Sequence, residues 1–95
     1  MIIKLEPIVG SFAENKDKAR DLRLKKILPA LEQNKEVILD FEKITGATQS
    51  FIHALISDII RKKGADALDS IYFKNCNDTV KKIINIVIEY MQESD

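Results

Sequence analysis

The sequence of 95 residues is poor in the residues on which several functional classes depend. It holds one cysteine, Cys76, one histidine, His53, three glycines and no tryptophan. A single cysteine excludes an internal disulfide and fits a reducing compartment, so we expect a cytoplasmic protein. One histidine and one cysteine are too few for a structural zinc site, which takes about four ligands. We therefore expect no metal and no other cofactor.

An excess of charge of either sign is also missing. Fifteen basic residues balance fifteen acidic ones, whereas nucleic-acid-binding proteins usually carry a basic excess that neutralises phosphates. Asp17 and Asp21 interrupt the basic stretch at residues 16–26, which indicates the solvated face of a helix. No apolar run approaches the ~20 residues of a membrane span, and the first residues lack the pattern of a signal peptide. We expect neither nucleic-acid nor membrane binding.

What the sequence does have is a regular alternation of strand-like and helix-like apolar patterns. The order strand, helix, strand, helix, strand, helix predicts a single α/β domain over residues 1–95. We expect a small mixed sheet of about three main strands with three helices and an extra N-terminal edge strand. The predicted strands are residues 2–5, 35–41 and 71–73, and the predicted helices begin near Lys16, Gln49 and Asp78, the second ending at Lys63.

Three segments carry a more specific prediction. Residues 37–39 are apolar at consecutive positions, which indicates a central, parallel strand that is buried on both faces. Pro29 lacks a backbone donor, so the first helix should kink or end near Leu28. Residues 8–12 are predicted to form a short extended piece that pairs back onto the first strand.

The chain contains no recognisable catalytic motif. Gly46 and Gly64 stand alone, so neither a phosphate-binding loop nor a dinucleotide fingerprint is present. Asp40 and Glu42 follow the central strand, where α/β sheets bind ligands, and an enzyme would have to use them together with His53. Strand alternation places both carboxylates on the same side, whereas an acid–base pair needs distinct environments. We expect a non-catalytic protein in which Asp40 accepts backbone donors from the following loop.

The segment from Ile44 to Phe51 joins the central strand to the start of a helix, and it is the predicted working surface. Backbone N–H groups and the helix dipole at such a point favour negative charge. Thr45, Thr48 and Ser50 place three hydroxyls there, and a phosphate on one of them would add nearly two negative charges. The alternative is that Thr48 or Ser50 only caps the helix.

The same region resembles the STAS domains. Residues 37–44, Val-Ile-Leu-Asp-Phe-Glu-Lys-Ile, lead through a short turn to Ser50 and Phe51 at the start of an apolar helix. The resemblance is closest to the small branch of STAS-like domains of unknown function, and it covers about residues 10–92. The predicted strand at residues 71–73 also fits that branch.

STAS relatives include sulfate-transporter domains and bacterial anti-sigma-factor antagonists. In the antagonists, a strand aspartate precedes an Asp-Ser-Ser-Gly loop, and a partner that is both kinase-like ATPase and anti-sigma factor phosphorylates the second serine. Asp40 matches the strand aspartate and Ser50 matches the phosphorylated serine, with Gln49 at the first serine. Thr48 and Phe51 stand where the antagonists have aspartate and glycine. The resemblance implies a bacterial regulatory domain that is phosphorylated at Ser50 and has a kinase-like ATPase as partner.

These observations predict a protein-binding surface. A second hypothesis is an adaptor or self-associating domain without a switch, in which the apolar Ile2, Ile3 and Ile8 pair with another chain in a homodimer. A small nucleotide-binding domain is a remote alternative, since a few STAS relatives are thought to bind nucleotides. The residues of the predicted partner-binding surface are Asp40, Thr45, Gly46, Thr48, Gln49, Ser50 and Phe51.

Overall fold

Three parallel strands form the centre of the computed structural model, which describes residues 1–93. β1 (Ile2–Lys4) and β5 (Ile71–Lys74) flank β3 (Val37–Asp40) on its two sides. A separate parallel pair joins β2 (Phe12–Ala13) to β4 (Gly46–Ala47). The α/β class predicted from the sequence is confirmed, and the main sheet, expected to be mixed, is parallel throughout the described residues.

Helices connect these strands and supply most of the core. A single buried apolar cluster unites them with the sheet. No helix within residues 1–93 combines the length and the apolar character needed to cross a membrane. The helices are α1 (Glu6–Val9), α2 (Lys16–Leu22), α3 (Leu28–Glu32), α4 (Gln49–Ile56), α5 (Ile59–Lys63) and α6 (Asp78–Glu93), with a π-helical segment at Arg23–Ile27 and a 3-10 segment at Ala65–Ser70.

The interruption predicted near Leu28 is confirmed, and it takes the form of a π-helical segment. The Asn15 side chain accepts from the Asp17 and Lys18 N–H groups and caps the start of α2. Pro29 has no N–H to donate, and one position earlier the Leu28 N–H reaches five residues back to the Arg23 carbonyl. The helix then resumes as α3 and stops at Asn34, whose φ of 60° is the left-handed conformation common at helix ends.

The helix predicted from Gln49 to Lys63 is wrong in one respect, because it divides into α4 and α5. Asp58 adopts a φ of 64°, which an α-helix does not allow. The buried guanidinium of Arg23 donates to the Ala54 carbonyl (2.8 Å) and to the Ser57 hydroxyl. The bond to Ala54 satisfies a backbone carbonyl at the end of α4. The Arg23 side chain thus replaces the backbone N–H donor that a further helical turn would have provided.

The central strand is buried on one face only, which corrects the prediction that both faces are covered. Val37 and Leu39 are fully buried beneath the helices, whereas Ile38 points to the other face and is half-buried. Ile38 pairs with Ile2 and Tyr72, which are 64% and 41% exposed. We call this row, Ile2, Ile38 and Tyr72, the open face of the sheet. The parallel strands therefore leave a narrow apolar strip uncovered.

The second extended piece also differs from its prediction. Residues 8–12 do not pair with β1, because Glu6–Val9 turns as a short helix and Gly10 leaves it with a φ of 83°. The chain then pairs through β2 with β4. This change brings the N-terminal region beside the segment that precedes α4.

Candidate functional site

The chain between β3 and α4 is held from two sides. From β2 and the residue before it, the Ser11 carbonyl accepts bonds from Thr45 N (2.7 Å) and Thr45 Oγ1 (3.1 Å). The Ala13 carbonyl accepts from Thr48 N at 3.0 Å. From the start of α6, Asn77 Nδ2 donates to the Thr45 carbonyl at 3.0 Å. The backbone that leads into α4 therefore has a fixed course before any partner arrives.

The three hydroxyls of this segment have different roles. Thr45 uses its hydroxyl to bond Ser11, as described above. Thr48 Oγ1 accepts the Phe51 N–H at 3.0 Å and caps α4. Ser50 is exposed in the first turn of α4, and among the described residues its hydroxyl has no hydrogen-bond partner. The alternative of capping alone therefore applies to Thr48, while no described residue bonds the Ser50 hydroxyl.

Ser50 lies on a groove of about 410 Å³. One wall comes from α6, whose Ile86 and Tyr90 side chains are 47% and 66% exposed. The start of α2 supplies Lys16, and α4 supplies His53 beside Ser50. Because a groove lined by apolar side chains and a few polar groups is the usual form of a binding site, we treat these five residues as the candidate site. We call it the Ser50 groove.

Two residues of the predicted partner-binding surface are buried below the surface of the protein. Phe51 is fully buried in the core, and Gly46 is buried under the Phe12 ring. A Cβ atom on Gly46 would lie 3.0 Å from Phe12 Cε1, which explains why glycine suits this point of close approach. The expectation that Gly46 and Phe51 contact a partner is therefore corrected: they shape the surface from below. Thr45, Gln49 and Ser50 remain exposed, and Thr48 is half-buried.

Asp40 occupies a different place from the Ser50 groove. Its Oδ1 accepts bonds from Asn75 Nδ2 (2.8 Å) and from Glu42 N (2.9 Å), so the predicted bond to the following loop is confirmed. These two bonds lower the pKa of the Asp40 carboxyl, and the positive charges of Lys4 and Lys74 act in the same direction. Asp40 thus ties β3 to the loop after β5 and is a structural residue.

The three residues of the enzyme hypothesis do not come together. Asp40 and Glu42 line a separate cavity of about 150 Å³, whereas His53 lines the Ser50 groove. Among the side chains that the structure describes, no three from His, Cys, Asp or Glu are close enough to hold a metal ion. Burial raises the pKa of the Cys76 thiol, which disfavours the reactive thiolate. Asp40, Glu42 and His53 therefore do not form the acid–base group that the enzyme hypothesis requires.

Sequence reasoning missed most of the groove. Lys16 falls in the stretch that is predicted to be a solvated helix face, and both Lys16 and His53 are exposed. Ile86 and Tyr90 had no assigned role. Their signal is an apolar pair at i and i+4 that lies outside the core stripe of α6. No local pattern indicates that this pair faces Ser50, because their contact depends on the packing of α4 against α6.

Comparison with known proteins identifies a family. No significantly similar curated protein was found, and no solved structure matched either. A sequence model of the family described as "STAS-like domain of unknown function" matches residues 18–81. The matched range contains β3, α4 and β5 and includes Ser50, although it is shorter than the range over which the sequence resembles the family. The match covers more than half of the 95 residues, and the chain belongs to the family of STAS-like domains of unknown function.

Proposed function

We propose that this protein is a non-catalytic regulatory module that binds a partner protein through the Ser50 groove and is switched by phosphorylation of Ser50. One observation carries the proposal. Ser50 is exposed, its hydroxyl has no partner among the described residues, and it lines a groove with two exposed apolar side chains. A docking surface and a modifiable group therefore coincide.

The position of Ser50 suits a phosphate in the free protein. It lies in the first turn of α4, where the helix dipole favours negative charge. Lys16 lines the same groove and supplies a positive charge. A phosphoserine would add nearly two negative charges at this point without removing the Thr48 cap. Modification would thus change the binding surface while leaving the fold in place.

The proposed modifying partner is a kinase-like ATPase, on the basis of the resemblance to anti-sigma-factor antagonists. The chain would be incubated with candidate ATPases and ATP, and intact mass and peptide mapping would locate any phosphate. We expect one phosphate, at Ser50, that disappears in Ser50→Ala and persists in Ser11→Ala, a second exposed serine. Modification at other residues only, or at none with any ATPase, would remove the switch from the proposal.

An adaptor without a switch is the second candidate, because Ile86 and Tyr90 already offer an exposed apolar surface in the unmodified chain. The self-association hypothesis is weaker in one respect: Ile3 is buried and only Ile2 and Ile8 are exposed. Equal partner binding by Ser50→Ala and Ser50→Asp would favour the adaptor. Sedimentation at several concentrations would detect a homodimer.

A further inference from the structure

The Ser50 groove has a chemical character that specifies its occupant. Its most exposed wall is apolar, formed by Ile86 and Tyr90 on successive turns of α6. Its charged residue is Lys16, and no acidic residue lines it among the described side chains. An occupant must therefore cover apolar surface and bring negative charge. A basic segment fails the charge requirement, and a purely polar segment fails the apolar requirement.

Resting on the proposed function, we propose that the partner contributes an amphipathic helix whose apolar stripe packs on Ile86 and Tyr90 and whose carboxylate pairs with Lys16. The groove is bounded by α2, α4 and α6, and docking of a helix into a groove between helices is a recurrent mode of recognition. On one helical face, a large apolar residue and an acidic residue three or four positions away are neighbours.

This occupant explains how a phosphate at Ser50 would act. Ser50 and Lys16 line the same groove, so a phosphate would compete for the positive charge that the carboxylate needs. It would also place negative charge against negative charge at the docking surface. Phosphorylation would therefore weaken binding by occupying Lys16, the residue that selects an acidic partner.

A display library of random 16-residue peptides, selected on the immobilised full chain, tests the inference without an ATPase or ATP. We expect enriched peptides that carry an acidic residue three or four positions from a large apolar residue. Their affinity, measured by fluorescence anisotropy, should fall at least tenfold with Lys16→Glu, Ile86→Asp or Ser50→Asp. Exchanging the acidic residue of the peptide for lysine should restore binding to Lys16→Glu.

Matched controls separate the groove from general effects of charge and folding. Leu24→Asp changes an apolar side chain with the same 47% exposure as Ile86, and Lys62→Glu reverses an exposed charge on α5. Both variants should bind as the wild type does, and circular dichroism should show all variants folded. Enrichment of basic peptides, no enrichment, or binding that ignores Lys16 and Ile86 would overturn the inference. Peptide binding without any Ser50 phosphorylation would instead remove only the switch.

Discussion

At the scale of single residues, the hydroxyl groups of Thr48 and Ser50 lie two positions apart and differ in their partners. Thr48 Oγ1 accepts the Phe51 N–H, whereas the Ser50 hydroxyl has no partner among the described residues. Thr48→Ala should therefore lower the free energy of unfolding by about 1 kcal/mol. Ser50→Ala should change it by less than about 0.5 kcal/mol, as exposed substitutions usually do.

Urea denaturation of the two variants beside the wild type measures this difference. Thr48→Ser retains an acceptor oxygen at the cap and should recover most of the loss. Equal destabilisation by Thr48→Ala and Ser50→Ala would mean that Ser50 supports the fold, and it would then be a poor position for a switch.

Asp40 gives a prediction about acid stability. Its folded-state pKa lies below the ordinary value of 3.8, chiefly because Asn75 donates to the carboxylate. A carboxyl with a depressed pKa stabilises the fold above its unfolded pKa, and that contribution is lost as pH falls through the folded pKa. The wild type should therefore lose its advantage over Asp40→Asn as pH drops below about 4.

Urea unfolding between about pH 2 and pH 6 tests the acid prediction. Asn75→Ala removes the largest cause of the shift, so the carboxyl of Asp40 should then titrate closer to its ordinary range. A difference between wild type and Asp40→Asn that does not depend on pH would contradict the assignment. Titration of the Asp40 carboxyl carbon by NMR provides a direct reading.

At the scale of elements, Asn77 joins α6 to the segment that precedes α4. Its Oδ1 accepts the Val80 N–H at 2.8 Å and caps α6, while its Nδ2 donates to the Thr45 carbonyl. Asn77→Asp keeps the acceptor and loses the donor. We expect α6 to remain capped, and amide hydrogen exchange at Thr45 and Thr48 to accelerate because the segment opens more often.

Asn77→Ala is the matched comparison, since it removes both bonds and should also destabilise α6. Hydrogen exchange followed by NMR distinguishes the two variants residue by residue. Unchanged exchange at Thr45 in Asn77→Asp would show that the bonds to Ser11 and Ala13 are enough to fix the segment.

The elements also show what the sequence could predict. The three strands of the main sheet and the starts of α2, α4 and α6 follow from local signals, such as Asn15 and Asn77 at caps. The division of α4 from α5 does not, because it depends on Arg23, a residue far away in the chain. The β2–β4 pair is likewise a tertiary contact of two residues per strand, too short for a periodic pattern.

The candidate site also has features that the sequence predicts and features that depend on tertiary packing. The position of Ser50 at a helix start could be predicted from spacing, and its match to the family serine from the resemblance. Only the structure shows that Thr48 is the hydroxyl that caps α4 and that Phe51 is buried. The α6 wall of the groove could not be predicted, because Ile86 and Ser50 meet only once the helices pack.

At the scale of the whole molecule, the fold presents Ser50 on a helix that other elements hold in position. The bonds from Ser11, Ala13 and Asn77 come from segments distant in the chain. A synthetic peptide covering residues 44–56 lacks all of them, and isolated helices this short are marginal in water. We therefore expect the folded chain to be phosphorylated at least tenfold faster than the peptide by the same ATPase.

Initial rates with equal concentrations of chain and peptide test this expectation. A peptide that includes residues 44–56 with Ser50→Ala provides the blank. Equal rates would indicate that the modifying enzyme reads local sequence in an extended conformation, and the groove would then have no part in the recognition of the serine.

The positions of the tyrosines have an experimental consequence. The chain has no tryptophan and two tyrosines, so its intrinsic fluorescence comes from Tyr72 on the open face and Tyr90 in the Ser50 groove. Tyr72→Phe leaves Tyr90 as the sole emitter, and Tyr90→Phe leaves Tyr72. The Tyr72 hydroxyl donates a hydrogen bond to Glu36, which raises the pKa of the phenol. In ultraviolet absorbance, Tyr72 should therefore ionise at a higher pH than an ordinary tyrosine. Two unlabelled optical reporters thus distinguish a partner that covers the sheet from one that enters the groove.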